Sequence, residues 1–119
     1  MSGESGRVLI VDDDAALRKV MSAYVTRLGF QVDACAGAAE ALALDPVSYS
    51  LAVVDLSMPG IGGQELARRI LERNPAIRVV LISGYPAEPG GETPWESERV
   101  SFLQKPFAPG DLMAAVARL

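Results

Sequence analysis

The stretch VLIVDDDAALR, residues 8–18, passes from four apolar residues directly into three carboxylates and then into a helix-forming run. Val8 to Val11 read as a short strand buried on both faces, because no polar residue alternates with them. An aspartate ahead of an apolar-periodic stretch accepts hydrogen bonds from the free amides of a helix's first turn. One carboxylate suffices for that. Asp12, Asp13 and Asp14 together exceed what capping needs.

Outward from this stretch, apolar runs alternate with helical patterns. Leu17, Val20, Met21, Tyr24, Val25 and Leu28 recur at three- and four-residue spacing and make one helix face, with Gly29 as the stop. Phe30 to Ala34 alternates apolar and polar side chains, as a strand near a sheet edge does. A short Ala-rich helix then ends near Asp45 and Pro46. Ser50 to Val54 is a second buried run, and Leu66, Ala67, Ile70 and Leu71 mark a helix stopped by Asn74-Pro75. Ala76 to Ile82 and Val100 to Leu103 are further strands, and Leu112, Ala115, Val116 and Leu119 form the stripe of a closing helix. Such alternation implies an α/β fold, a mostly parallel sheet with helices on both faces. Ligands bind such sheets beyond the carboxyl ends of the strands, where the strand order reverses.

Composition excludes several function classes. With 119 residues and 50% hydrophobic content the chain fits a single domain, 1–119. Eleven basic against 15 acidic residues, a formal charge of −4, argue against direct contact with nucleic acid. The one cysteine, Cys35, permits no internal disulfide and reads as a small buried apolar residue. MSGESGR lacks the apolar core of a signal peptide, and no stretch reaches the about 18 apolar residues of a membrane span. A soluble, cytoplasmic protein is expected. Histidine is absent, so triads, His-Glu-x-x-His zinc sites and phosphohistidine chemistry within this chain are excluded.

The residues at the carboxyl ends of the strands carry the remaining chemistry. The first strand ends in Asp12 and Asp13, another in Asp55 of VVDLSMPG, the next in Ser83 of VLISG, and the last runs into Lys105 of FLQKPF. Singly, an aspartate there is by default a turn former or cap, a serine before glycine a turn, and a lysine a solvated charge. Jointly they describe a site. Clustered carboxylates repel, and a hard cation removes that cost. Magnesium fits, since it takes oxygen ligands and is held by one or two carboxylates with phosphate oxygens. Lys105 supplies a point charge for phosphate and Ser83 a hydroxyl. The set reads as phosphoryl chemistry with a carboxylate as nucleophile.

Taken in order, VLIVDDD, VVDLSMPGIGG, LISG and FLQKPF resemble the receiver domain of two-component response regulators, of the chemotaxis-regulator type, from residue 7 to 119. The resemblance implies a doubly wound, flavodoxin-like sheet in order 2-1-3-4-5, with a core of about 7–119 and a flexible N-terminus over 1–6. It implies that Asp55 is the phosphoacceptor, that Asp13 and Asp55 ligate Mg2+ directly, and that Asp12 reaches it through water. The carbonyl of Ser57 is a further ligand on this reading. Lys105 binds the phosphoryl group, Ser83 senses it, Phe102 holds the aromatic switch position, and the Lys105–Pro106 peptide is cis. Asp14 is left as a helix start. The implied donor is a histidine kinase or histidine phosphotransfer domain. The chain is then a free-standing regulator or the receiver of a larger protein such as a hybrid sensor histidine kinase, and it is no enzyme beyond its own phosphorylation and dephosphorylation.

Two other readings compete. A haloacid-dehalogenase-like phosphatase would use Asp12 as nucleophile with Asp14 two positions on, but leaves Asp55 and Lys105-Pro106 unexplained. A receiver-like interaction module that is never phosphorylated would be expected to lack one of the acidic or lysine residues, and none is lacking. Neither G-x-x-x-x-G-K-[ST] nor G-x-G-x-x-G occurs.

The sequence departs from the resemblance between the last two strands, in GYPAEPGGETPWESERV. Proline inside a helix costs about 3 kcal/mol and glycine about 1 relative to alanine. The fourth helix is therefore expected to be shortened or replaced by a loop, with at most a turn around Trp95 to Glu98. Since relatives dimerise through that face, a monomer or weak dimer is expected.

Overall fold

The computed structural model describes residues 6–56, 62–83 and 99–117. Residues 1–5, Ser57, the 84–98 segment with its expected loop, and Leu119 lie outside the described residues.

Five parallel strands, β1 (Arg7–Val11), β2 (Gln31–Cys35), β3 (Leu51–Asp55), β4 (Arg78–Ser83) and β5 (Val100–Gln104), form one sheet in the order β2-β1-β3-β4-β5. This is the doubly wound, flavodoxin-like arrangement. The helices are α1 (Ala15–Arg27), α2 (Ala38–Leu42), α3 (Gly63–Arg73) and α4 (Pro109–Ala117), with a 3-10 turn at Pro46–Ser48. The order reverses at β1, which pairs with β2 on one side and β3 on the other, so the crevice opens beyond Val11 and Asp55.

The central strands are apolar throughout because each serves two layers. Val8, Ile10, Leu51, Val53, Val80 and Ile82 pack with Met21 and Val25 of α1 and Leu112 and Val116 of α4. Leu9, Val11, Ala52, Val54, Val79 and Leu81 pack with Ala38 and Ala41 of α2 and Leu66, Ala67 and Ile70 of α3. Successive side chains of a strand point to opposite faces. A strand covered on both sides therefore needs an apolar residue at every position, and fully burying each leucine, isoleucine or valine contributes about 1.5–3 kcal/mol.

Local signals at the ends of α1 act as the sequence indicates. Asp14 caps it, its side chain accepting from the amides of Ala16 at 3.0 Å and Leu17 at 3.2 Å. Gly29 follows the helix at φ 99°, a left-handed conformation open to glycine at no steric cost. Two expectations need correction. Val20, expected on the apolar face, is 48% exposed. The buried centre of α1 is Met21 and Val25, and Val20, roughly 100° round the helix from Met21, falls on the solvent side. The strand expected from Ala76 begins at Arg78 instead, because the Ile77 amide is spent on a turn to the Asn74 carbonyl at 3.0 Å. Among the described residues no helix is long and apolar enough to cross a membrane.

Candidate phosphoryl and metal site

Asp12 follows β1 and is fully buried; Asp55 closes β3 and is 1% exposed. Asp13, by contrast, is exposed. One carboxylate oxygen from each of Asp12, Asp13 and Asp55 lies within 4.8 Å of the others. Asp14 is not one of this group, being committed to capping α1. The phosphatase reading, which would use Asp14 beside Asp12 as an acid, competes with that capping role.

Lys105 follows β5, and its Nζ reaches Asp55 Oδ2 at 3.1 Å and Asp12 Oδ2 at 3.9 Å. The backbone brings it there: the Lys105 amide donates to the Ser83 carbonyl at 2.7 Å, and the Lys105–Pro106 peptide is cis. Ser83 ends β4 and pairs in register with Gln104, so serine and lysine stand at one edge of the crevice. Phe102, paired with Leu81, lies two residues further back along β5 with 42% of its surface exposed. Beside Lys105 an open cleft of about 440 Å³ is lined by Asp14, Leu17, Lys105, Pro106 and Phe107.

The electrostatics mark Asp12 out. Its Oδ1 accepts from the Asp14 amide at 2.9 Å, but its buried Oδ2 has no hydrogen-bond donor among the described residues. Burial pushes its carboxyl up to about 6, with the Asp55 charge adding to the rise and the Asp14 amide and Lys105 opposing it. An ionised carboxylate buried with an unsatisfied oxygen is costly. A cation facing that oxygen removes the cost. Three carboxylates converging in a cluster, one with a bare buried oxygen, fit a hard oxygen-seeking divalent ion such as Mg2+.

Two contributors were not singled out from the sequence. Gly63, the first residue of α3, lies so close under Asp55 that a Cβ there would stand 2.1 Å from the Asp55 carbonyl oxygen. Arg18, one turn into α1, donates from Nη1 to the Asp12 carbonyl at 2.7 Å. The first had a signal in the glycine pair Gly62-Gly63 at the mouth of a helix. The second had none, since an arginine one turn into an amphipathic helix reads as solvated.

The family model for the response regulator receiver domain matches residues 8–117 of this chain. The response regulator receiver protein CpdR of Brucella abortus is 31% identical over 119 residues, spanning 95% of each chain. The C4-dicarboxylate transport transcriptional regulatory protein DctD of Rhizobium meliloti is 34% identical over 112 residues, 93% of this chain and 24% of that protein. Two further transcriptional regulators are matched over 47% and 50% of their length, so the chain spans half or less of several curated relatives. Among solved structures, the response regulator TrrA of Thermotoga maritima in complex with Mg(2+)-BeF superposes with a TM-score of 0.82 at 25% identity, covering 95% of this chain and 97% of that one.

Proposed function

This chain belongs to the response regulator receiver domain family, and from that premise we propose that Asp55 is its phosphoacceptor and that Asp12 and Asp13 hold Mg2+ with it. The observation that carries the reading is the buried Asp55 carboxylate, 3.1 Å from Lys105 Nζ and beside the bare Oδ2 of Asp12. The carbonyl of Ser57 completes the proposed ligand set; it lies outside the described residues.

An Asp55 oxygen attacks the phosphorus of a phosphohistidine on a histidine kinase or histidine phosphotransfer domain. The P–N bond breaks as the O–P bond forms, and its electron pair returns to the imidazole nitrogen, which takes up a proton. Lys105 releases part of its hold on the carboxylate and pairs with a phosphoryl oxygen, a charge-assisted bond stronger than a neutral one. Mg2+, when bound, supplies the positive charge that offsets the clustered carboxylates and phosphoryl oxygens. Asp13 is the exposed member of the cluster. Ser83 then orients the phosphoryl group from the end of β4, and Phe102 turns inward along β5, so that added charge is read at a distant face.

The chain on this reading is a signalling phosphoacceptor in the cytoplasm, one domain over 1–119, that promotes only its own phosphorylation and dephosphorylation. Its partners are the donor and an output protein rather than nucleic acid or membrane, and it is a monomer or weak dimer. Intact-mass spectrometry after incubation with a small acyl phosphate and Mg2+ tests it. One phosphoryl group is expected on the wild type and none on D55N. Equal labelling of both, or labelling that moves to Asp12, would refute the assignment.

A further inference from the structure

Asp12 is fixed by three hydrogen bonds from this chain. Its amide donates to the Cys35 carbonyl at 3.1 Å, its Oδ1 accepts from the Asp14 amide at 2.9 Å, and its own carbonyl accepts from Arg18 Nη1 at 2.7 Å. The first bond continues the β1–β2 pairing and the second belongs to the turn into α1. The third comes from a side chain six residues on, reaching back from α1 to the end of β1.

The carbonyl in question belongs to the peptide joining Asp12 to Asp13. Its orientation therefore governs the directions in which both carboxylates leave the backbone. Among the described residues Arg18 forms no ion pair, and the Asp12 carboxylate faces the ammonium of Lys105 at 3.9 Å. The guanidinium thus acts on the backbone of the acidic cluster rather than on its charge. We propose that Arg18 is a positioning residue for the metal site: by holding the Asp12–Asp13 peptide it aims the Asp12 and Asp13 oxygens to meet that of Asp55. The inference rests on the reading of this cluster as the Mg2+ site.

The charge of Arg18 and its hydrogen bond act on the metal site in opposite directions. A guanidinium near a dication opposes its binding by Coulomb repulsion, so removing the charge alone would tighten Mg2+ binding. Removing the positioning bond weakens it. Mg2+ affinity measured by isothermal titration calorimetry on wild type, R18M and R18K separates the two. R18M keeps most of the stem without donor or charge and should bind about tenfold more weakly, whereas R18K keeps one donor and should recover most of the loss. Unchanged or tighter binding in folded R18M overturns the proposal and leaves Arg18 a purely structural cap. Wild type that fails to bind Mg2+ overturns both this inference and the metal reading beneath it. Should R18M not fold, side-chain NMR of the wild type carries the test: the Nη proton bonded to the Asp12 carbonyl should exchange slowly, and a guanidinium exchanging at the free rate throughout would overturn the proposal.

Discussion

The ammonium of Lys105 lies 3.1 Å from Oδ2 of Asp55 and 3.9 Å from Oδ2 of Asp12, so one cation faces both buried carboxylates. The hydrogen bond from its amide to the Ser83 carbonyl fixes the backbone from which that side chain reaches inward. Replacing Lys105 by methionine keeps the length of the stem and removes the charge. K105M should still take up one phosphoryl group, but about a hundredfold more slowly, the scale for deleting one preorganised donor to developing negative charge. Stopped-flow kinetics with a small acyl phosphate checks this, and a rate within a factor of about three of wild type would contradict the role of Lys105.

Asp12 makes stability depend on pH in a particular direction. Burial raises its carboxyl from 3.8 to about 6. The folded state therefore binds the proton more tightly than the unfolded one, and this contribution is fully present below 3.8 and disappears as pH rises through about 6. Without divalent cations, unfolding free energy should drop by on the order of 2–3 kcal/mol between pH 4 and 7.5 from this group. D12N should flatten that slope. Added Mg2+ should restore stability at pH 7.5 far more than at pH 5, where the proton competes with it. Urea titrations of wild type and D12N across this range would show it, and parallel slopes in the two proteins would exclude Asp12 as the source.

Gly63 lies where α3 meets the end of β3. A Cβ there would also stand 2.7 Å from the Asp55 carbonyl carbon and 2.8 Å from Leu56 Cα, all rigid backbone rather than a yielding side chain. G63A should cost about 1–3 kcal/mol, as overpacked sites do. It should also slow phosphorylation, because relief comes by displacing Asp55. A variant destabilised to this degree yet phosphorylated at the wild-type rate would mean that the helix, and not the aspartate, gives way.

Phe102 carries its ring outward, 42% exposed, on the strand that leads to Lys105. It has no hydroxyl, so no hydrogen bond locks either rotamer. Beryllofluoride with Mg2+ should shift backbone amide resonances at residues 83–85 and 100–107 as the ring turns inward. Shifts confined to Asp12, Asp13 and Asp55 would show that the site is occupied without the strand responding.

Much of the architecture was legible because its cause is local. Strands covered on both faces are apolar at every position, so Val8–Val11 and Leu51–Val54 announced themselves. Asp14 and Gly29 mark the ends of α1 by side-chain capping and backbone freedom, which act within a few residues. What escaped reading depends on partners far along the chain. Tyr49 is buried because its hydroxyl finds Asp33 at 2.7 Å and its carbonyl finds the Asn74 side chain at 3.0 Å, neither of which spacing foretells. Burial, with the bond to Asp33 adding to it, pushes the phenol up to about 12. Arg18 was opaque for the same reason: its partner is a carbonyl, which every residue has. The acidic cluster sat between these cases, since topology supplied the meeting of Asp12 with Asp55 once the strand ends were known.

The sheet has a consequence for how this chain can change. Its two apolar layers share backbone but not side chains, Met21 and Val25 lying on one side and Ile70 and Leu66 on the other. Sites that share no partner lose stability additively. A change of packing in one layer therefore leaves the partners of the other untouched, yet the layer under α1 is tied to the site, because α1 begins at the Asp14 cap and carries Arg18, bonded to the Asp12 carbonyl. The layer under α3 is tied in its own way, because α3 begins at Gly63 against the Asp55 backbone. Repacking either half of the interior, by selection or by an engineer, is therefore felt at the site through a different residue, Arg18 on one side and Gly63 on the other.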